Sequence, residues 1–188
     1  MEITNNGLLD EVLPKFDVSA TYSIRIRATP QRIYNVLQEG IPTGAITRIL
    51  MIMRGLPRIA RRQKATPAQD AFYRLMQLKD REIVIGIAGQ FWKPVSSPIP
   101  IHSLDEFLAF DRPGFSKAAL NLRIVPLRAG ECHVTTETRV LSYGKAKQDF
   151  KSYWQMISPF SGLIRREILR KIKKKAEDNR QGARRRKN

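Results

Sequence analysis

From about residue 145 to residue 178 the apolar side chains recur every three or four positions: Phe150, Tyr153, Trp154, Ile157, Phe160, Ile164, Ile168 and Ile172. That spacing places them on one face of an α-helix. The helix would be far longer than average, and the simplest cover for so long a face is a sheet. Pro159, with Ser161 and Gly162 close behind, is expected to kink it.

The chain before this helix supplies the sheet. Residues 17–28 alternate, with Val18, Ala20, Tyr22, Ile24, Ile26 and Ala28 against Ser19, Thr21, Ser23, Arg25 and Arg27, the mark of a half-buried strand. Thr29 then serves as N-cap and Pro30 as first residue of a short helix, whose face is Ile33, Tyr34 and Leu37. A second short helix is expected from Pro42-Thr43, with the stripe Ile46, Ile49, Leu50 and Met53. Residues 58–70 read as a basic connection. Strands are expected at 71–79, at 82–92 with a bend or bulge at Gly86 and Gly89, near 104–110, at 116–126 and at 132–141. Turn signals fall at Arg112-Pro113-Gly114 and Ala129-Gly130-Glu131. Strands in succession joined by short turns make an antiparallel meander.

Residues 1–16 read as an N-terminal arm with one apolar helical turn, Leu8, Leu9, Val12 and Leu13. Residues 17–178 read as one α+β domain, and 179–188 as a basic, disordered tail. With 188 residues, a second domain would be cramped. Lys and Arg number 34 against 17 Asp and Glu, a net charge of +17. More than half of this excess lies in residues 151–188, which hold 13 basic and 3 acidic residues. Such asymmetry suits contact with nucleic acid or an anionic membrane, and equally a solubilising tail. The one cysteine, Cys132, precludes an internal disulfide and fits a reducing compartment. No signal peptide and no apolar run of the roughly 20 residues a membrane helix needs are seen, so a cytoplasmic location is expected.

The stretches "YSIRIRATPQRIYNVL" at 22–37, "EIVIGIAGQFW" at 82–92, "HVTTETRV" at 133–140 and "FKSYWQMISPFSGLIRREILRKIKKKAE" at 150–177 resemble the START-like (SRPBCC) superfamily with its helix-grip fold. The resemblance covers most of 17–178. It implies a curved antiparallel sheet of about six to seven strands wrapped around the long C-terminal helix, with two short helices after the first strand. It also implies a cavity between sheet and helix. Relatives bind lipids, sterols or polyketides there, and some catalyse cyclisation or aromatisation. The superfamily shares no universal catalytic residue, so none is carried over.

On the last strand, Cys132, Val134, Thr136, Thr138 and Val140 form the less polar set and are assigned inward. His133, Thr135, Glu137 and Arg139 then face out, with Glu137 and Arg139 in a cross-strand ion pair, Arg123 being a partner on the adjacent strand. With the faces reversed, Glu137 and Arg139 become a buried acid–base candidate. Cys132 and His133 are neighbours on a strand and point apart, so they neither chelate one metal nor pair for catalysis. No metal and no cofactor is expected. The aromatic residues Tyr22, Phe91, Trp92, Tyr153 and Trp154 either fill a core or line a cavity with phenol and indole donors.

The basic residues Arg165, Arg166, Arg170, Lys171, Lys173, Lys174 and Lys175 crowd the end of the last helix, above an apolar stripe of Leu163, Ile164, Ile168 and Ile172. A second cluster, Arg54, Arg58, Arg61, Arg62 and Lys64, has no interleaved aromatics for stacking on bases. The expected function is binding of a hydrophobic small molecule, lipid or polyketide-like. The ligand would be lined by Tyr22, Trp92, Leu120, Leu122, Thr136, Thr138, Tyr153, Trp154, Ile157 and Phe160. One alternative is a cyclase/aromatase-type enzyme with Glu137, His133 or Tyr153 as the ionisable group. The other is an interaction protein docking its basic tail on nucleic acid or anionic membrane.

Overall fold

In a computed structural model, described over residues 7–39, 72–93 and 98–185, the chain alternates short helices with long antiparallel strands. The elements are α1 (Leu8–Val12), β1 (Val18–Ile26), α2 (Pro30–Gln38), β2 (Tyr73–Leu78), β3 (Glu82–Gly89), α3 (Leu104–Ala109), β4 (Ser116–Arg128), β5 (Glu131–Ser142) and α4 (Ala146–Arg185). The fold is α+β. The expected helix after Pro42 and the basic cluster Arg54–Lys64 lie outside the described residues.

Among the described residues the sheet has five strands in the order β1-β5-β4-β3-β2, all neighbours antiparallel. β2 to β5 form the meander expected from the turns. The first strand, however, pairs with the last, Tyr22 standing opposite Thr136 and Ile26 opposite Cys132. Five strands is fewer than the six to seven expected. One reason is residues 104–110, expected as a strand and folded as α3. The Ser103 Oγ accepts the Glu106 N–H at 3.0 Å, and the Glu106 carboxylate accepts the His102 N–H at 2.7 Å. One orphan donor of the first turn is thereby satisfied and the chain entering the helix is tied to it, with Asp105 and Glu106 favourably placed in the first turn. This local chemistry outweighs a weak strand pattern.

α4 lies across the β1–β5 side of the sheet and against α2. Phe150, Tyr153, Ile157, Ile168, Leu169, Ile172 and Ala176 of α4 share one core with Ile26, Ile83, Leu122, Ile124, Val134 and Val140 of the sheet. The helix is continuous through Pro159, where a kink was expected, and runs on past 178 to Arg185, into the stretch expected to be a disordered tail. Among the described residues no helix is long and apolar enough to cross a membrane.

The opposite face of the sheet is covered too. A second core joins Leu9, Val12 and Leu13 of the N-terminal arm to Leu75, Val84, Ala88, Ala119 and the fully buried Phe107 of α3. Gly86 serves this packing and not a bend. A Cβ there would stand 2.4 Å from a Leu75 methyl and 2.8 Å from the Phe107 ring, so the missing side chain is the space α3 occupies. The irregular registers lie instead in β2, between Arg74 and Met76, and in β4, between Pro126 and Arg128.

Covering this face buries its polar residues. Lys117 caps the C-terminus of α3, donating to the Phe107 and Leu108 carbonyls at 2.9 Å each and lying over the Phe107 and Tyr143 rings. Burial lowers its pKa, against the opposing pull of Asp111. Glu82 accepts the Leu8 N–H at 3.0 Å and the Asn121 side-chain amide at 2.7 Å, and Asn121 in turn accepts the Glu137 N–H at 2.7 Å. Arg139 closes the network, donating to Glu137 at 2.7 Å, to Asp10 at 2.6 Å and to the Leu13 carbonyl at 3.1 Å. Glu137 therefore pairs within its own strand, with Arg139.

Candidate functional site

Strand periodicity decides which β5 side chains face α4. Cys132, Val134 and Val140 are fully buried in the α4-side core, and Thr136 and Thr138, between them in the same alternation, are buried as well. His133 and Glu137 lie on the other face, half-buried. Two of the three candidate acid–base groups are thus away from the helix side. Only Tyr153, in the core with Phe150 and Ile157, is on it.

The inward threonines differ. The Thr136 hydroxyl donates to the Asn121 carbonyl at 2.8 Å. The Thr138 hydroxyl, on a residue only 7% exposed, has no hydrogen-bond partner. A buried hydroxyl in that state costs about 1–3 kcal/mol. Cys132 is satisfied structurally, its thiol donating to the Ala28 carbonyl at 3.3 Å. Burial, with the nearby Glu131, raises its pKa and keeps it an unreactive thiol. Among the described residues no group of three or more His, Cys, Asp or Glu converges on a metal position.

The aromatic residues form a chain along α4. Phe150 is its hub, with Phe91 at 6.4 Å and Trp92 at 6.0 Å edge-on, and Tyr153 and Trp154 tilted against it at 6.0 and 5.9 Å. From Trp154 the chain continues to a residue the sequence reading placed on the surface. Arg165 is 2% exposed, the bulkiest fully buried side chain among the described residues. Its guanidinium lies 5.9 Å from the Trp154 ring centre and 5.8 Å from that of Tyr22. Burial lowers its pKa to about 10, with Tyr22 opposing, so it is fully charged at neutral pH. Arg166, which is exposed, reaches the same Tyr22 ring at 5.8 Å.

Leu163 is the counterpart of this exchange. Expected beneath the basic cluster, it is 64% exposed, because at 3.6 residues per turn it stands about two and a half turns from Ile172 and so on the opposite face. Arg165 falls on the buried stripe three residues before Ile168. Position on the helix, not residue type, was the available signal.

Gly162 makes room for Tyr22. A Cβ on Gly162 would meet the Tyr22 hydroxyl at 2.5 Å and the ring at 3.1 Å. The helix thus comes close to β1 at this position. Gly→Ala inside a helix ordinarily stabilises by about 0.5–1 kcal/mol. Gly162→Ala is expected to destabilise by about 1–2 kcal/mol, the tyrosine being forced aside. In the Tyr22→Phe background, which lacks the clashing hydroxyl, most of that loss should vanish. A double-mutant cycle from urea unfolding checks this, and additive effects would show that the contact is not the cause.

Of the expected lining residues, Tyr22, Trp92, Leu120 and Trp154 are half-buried on the core side. Leu122, Thr136, Thr138, Tyr153 and Ile157 are buried there. The Phe160 side chain lies outside the described residues. A separate cleft of about 390 Å³ opens between α2 and the end of α4, lined by Arg32, Asn35, Val36, Glu39, Lys175 and Asp178. It is polar, with Lys175 paired to Glu39 at 2.6 Å, and differs in kind from an apolar ligand cavity.

No family model matches the chain, and no curated protein matches it. Among solved structures, it is similar to a conserved protein from Geobacillus kaustophilus (12% identity, TM-score 0.38, covering 86% of this chain and 96% of that one). It is also similar to the Zhui aromatase/cyclase from Streptomyces sp. R1128 (7% identity, TM-score 0.37, 85% and 96% covered). A third similar structure is a truncated norcoclaurine synthase from Thalictrum flavum (10% identity, TM-score 0.32, 84% and 91% covered).

Proposed function

We propose that this chain is a START-like, helix-grip protein that binds a hydrophobic small molecule, lipid or polyketide-like, between the sheet and α4. The observation that carries the reading is an inner face whose large apolar side chains, among the described residues, stay only partly buried. Tyr22, Ile24, Ile85, Trp92, Leu120 and Trp154 pack against the α4-side core yet stay only partly buried. Large apolar side chains at positions aimed inward are normally buried outright. Partial burial of six of them, five from the sheet side and Trp154 from α4, fits a surface that an apolar ligand completes. The unsatisfied Thr138 hydroxyl adds a polar point on that wall. Catalysis by acid–base groups has less support, since Glu137 and His133 are on the other face and Glu137 is tied to Arg139.

Native mass spectrometry of gently purified protein tests the reading. An apolar species released on denaturation, and uptake of a fluorescent fatty acid by the emptied protein, are the expected results. Ligand-free protein that also excludes the fluorescent probe would overturn it.

A further inference from the structure

The side of α4 turned away from the sheet carries the two most exposed large apolar side chains among the described residues. Met156 and Leu163 are each 64% exposed, whereas the other exposed ones lie between 37% and 49%. Seven residues make nearly two helical turns, so Met156, Leu163 and Arg170 stand almost in one line, and Lys174 follows a turn later, all within about 20° of Leu163. Arg166 flanks that line, beside Tyr22. Arg166, Arg170 and Lys174 are all exposed. The stripe is therefore apolar in its first half and basic in its second, over about 27 Å at the helical rise. Neighbouring acids are matched by other lysines: Glu167 with Lys171 at 3.0 Å, Glu177 with Lys173 at 3.8 Å and Glu39 with Lys175 at 2.6 Å. Asp178 lines the cleft against α2. The opposite side of the helix, Tyr153, Ile157, Ile168, Leu169, Ile172 and Ala176, is sealed in the core, and this fixes which way the outer stripe faces. Single exposed apolar residues are ordinary. Two in line with a run of cations form a patterned surface, which packing within the chain does not account for.

We propose that this outer stripe of α4 docks on an anionic lipid bilayer, with Met156 and Leu163 dipping below the headgroups and Arg166, Arg170 and Lys174 meeting the lipid phosphates. A bilayer surface is anionic at the headgroups and apolar just beneath, which matches both halves of the stripe. Nucleic acid would use the basic half but offer Met156 and Leu163 only phosphate and water. The helix lies on the membrane and does not cross it, since its other face belongs to the core. With only two apolar side chains to insert, attachment rests mainly on charge. It therefore requires anionic lipid and weakens as salt rises. The inference is independent of what binds between the sheet and α4.

Co-sedimentation of the full chain with vesicles of phosphatidylcholine, alone or mixed with phosphatidylglycerol, tests it. Wild type is expected to bind the mixed vesicles about tenfold or more tighter than the neutral ones, and to be released by added salt. The double variant Arg170→Gln, Lys174→Gln should bind the mixed vesicles about tenfold or more weaker. The double variant Met156→Ser, Leu163→Ser, which keeps every charge, should also bind about tenfold weaker. All four positions are exposed, and circular dichroism establishes that both variants are folded. Absence of binding to the mixed vesicles would overturn the proposal. So would wild-type binding by either variant, because the basic end of the chain or charge alone would then make the contact. Binding to double-stranded DNA that the Arg170, Lys174 variant loses and the Met156, Leu163 variant keeps, with no vesicle binding, would assign the stripe to nucleic acid and overturn it likewise.

Discussion

Arg139→Ala is expected to lower the free energy of unfolding by about 3–4 kcal/mol, the range for breaking a buried, multiply hydrogen-bonded ion pair. Arg139 is 9% exposed and makes three directional bonds, to Glu137, Asp10 and the Leu13 carbonyl, and its guanidinium stacks 4.7 Å from the Phe16 ring centre. The first two are charge-assisted and the third satisfies a carbonyl at the end of α1. Truncation leaves the Glu137 and Asp10 carboxylates without their shared partner and frees the arm that covers the second core. Desolvation by burial is the largest single influence on the Arg139 pKa and lowers it. The bonds and charges of Glu137 and Asp10 together outweigh it, so the pKa is raised overall. That balance marks the pair as net favourable despite burial. Denaturant unfolding should show a lower midpoint at unchanged slope. Amide exchange at Leu9, Val12 and Leu13 should accelerate more than in β5. A loss below about 1 kcal/mol would mean that hydration of the freed groups replaces the network.

Arg165→Met is expected to do the reverse, raising stability by about 1–3 kcal/mol. The guanidinium is lowered from its ordinary value to about 10, and each unit of such a shift is worth about 1.4 kcal/mol. Burial of the charge thus costs on the order of 3 kcal/mol at neutral pH, less about 1 kcal/mol for the cation–π contacts that methionine forgoes. The sign with pH follows from the same values. Below pH 10 both folded and unfolded states hold the proton, so the penalty is constant. Between about 10 and the unfolded value the unfolded chain binds more protons, and wild-type stability attributable to this group rises with pH. The advantage of Arg165→Met should therefore be flat from pH 6 to 9 and shrink above 10. Thermal unfolding across that range checks it. A variant less stable than wild type at pH 7 would show that Arg165 holds the fold together. A more stable one would mark it as a residue kept at a cost.

Much of the architecture was legible before any coordinates. The alternation in 17–28 and in 132–141 identified both strands and their core faces, since side chains of a strand point alternately to its two sides. Thr29-Pro30 marked the start of α2, where the Thr29 hydroxyl accepts the Arg32 N–H at 3.4 Å. The stripe from Phe150 to Ile172 identified α4. These are local properties, fixed by backbone geometry over a few residues.

What tertiary structure alone decided is long-range. The pairing of β1 with β5 joins segments far apart in sequence, and no local pattern encodes it. The covering of the outer face by α1 and α3 turned Lys117, Asn121 and Arg139 from surface residues into buried, bonded ones. The crossing of α4 over β1 put Arg165 inside and Leu163 outside, against what their side chains would prefer in water. Residue type states an average preference for water or oil. Which positions are sealed is set by where whole elements come to rest on one another, and only there does a charged residue at a core position become visible.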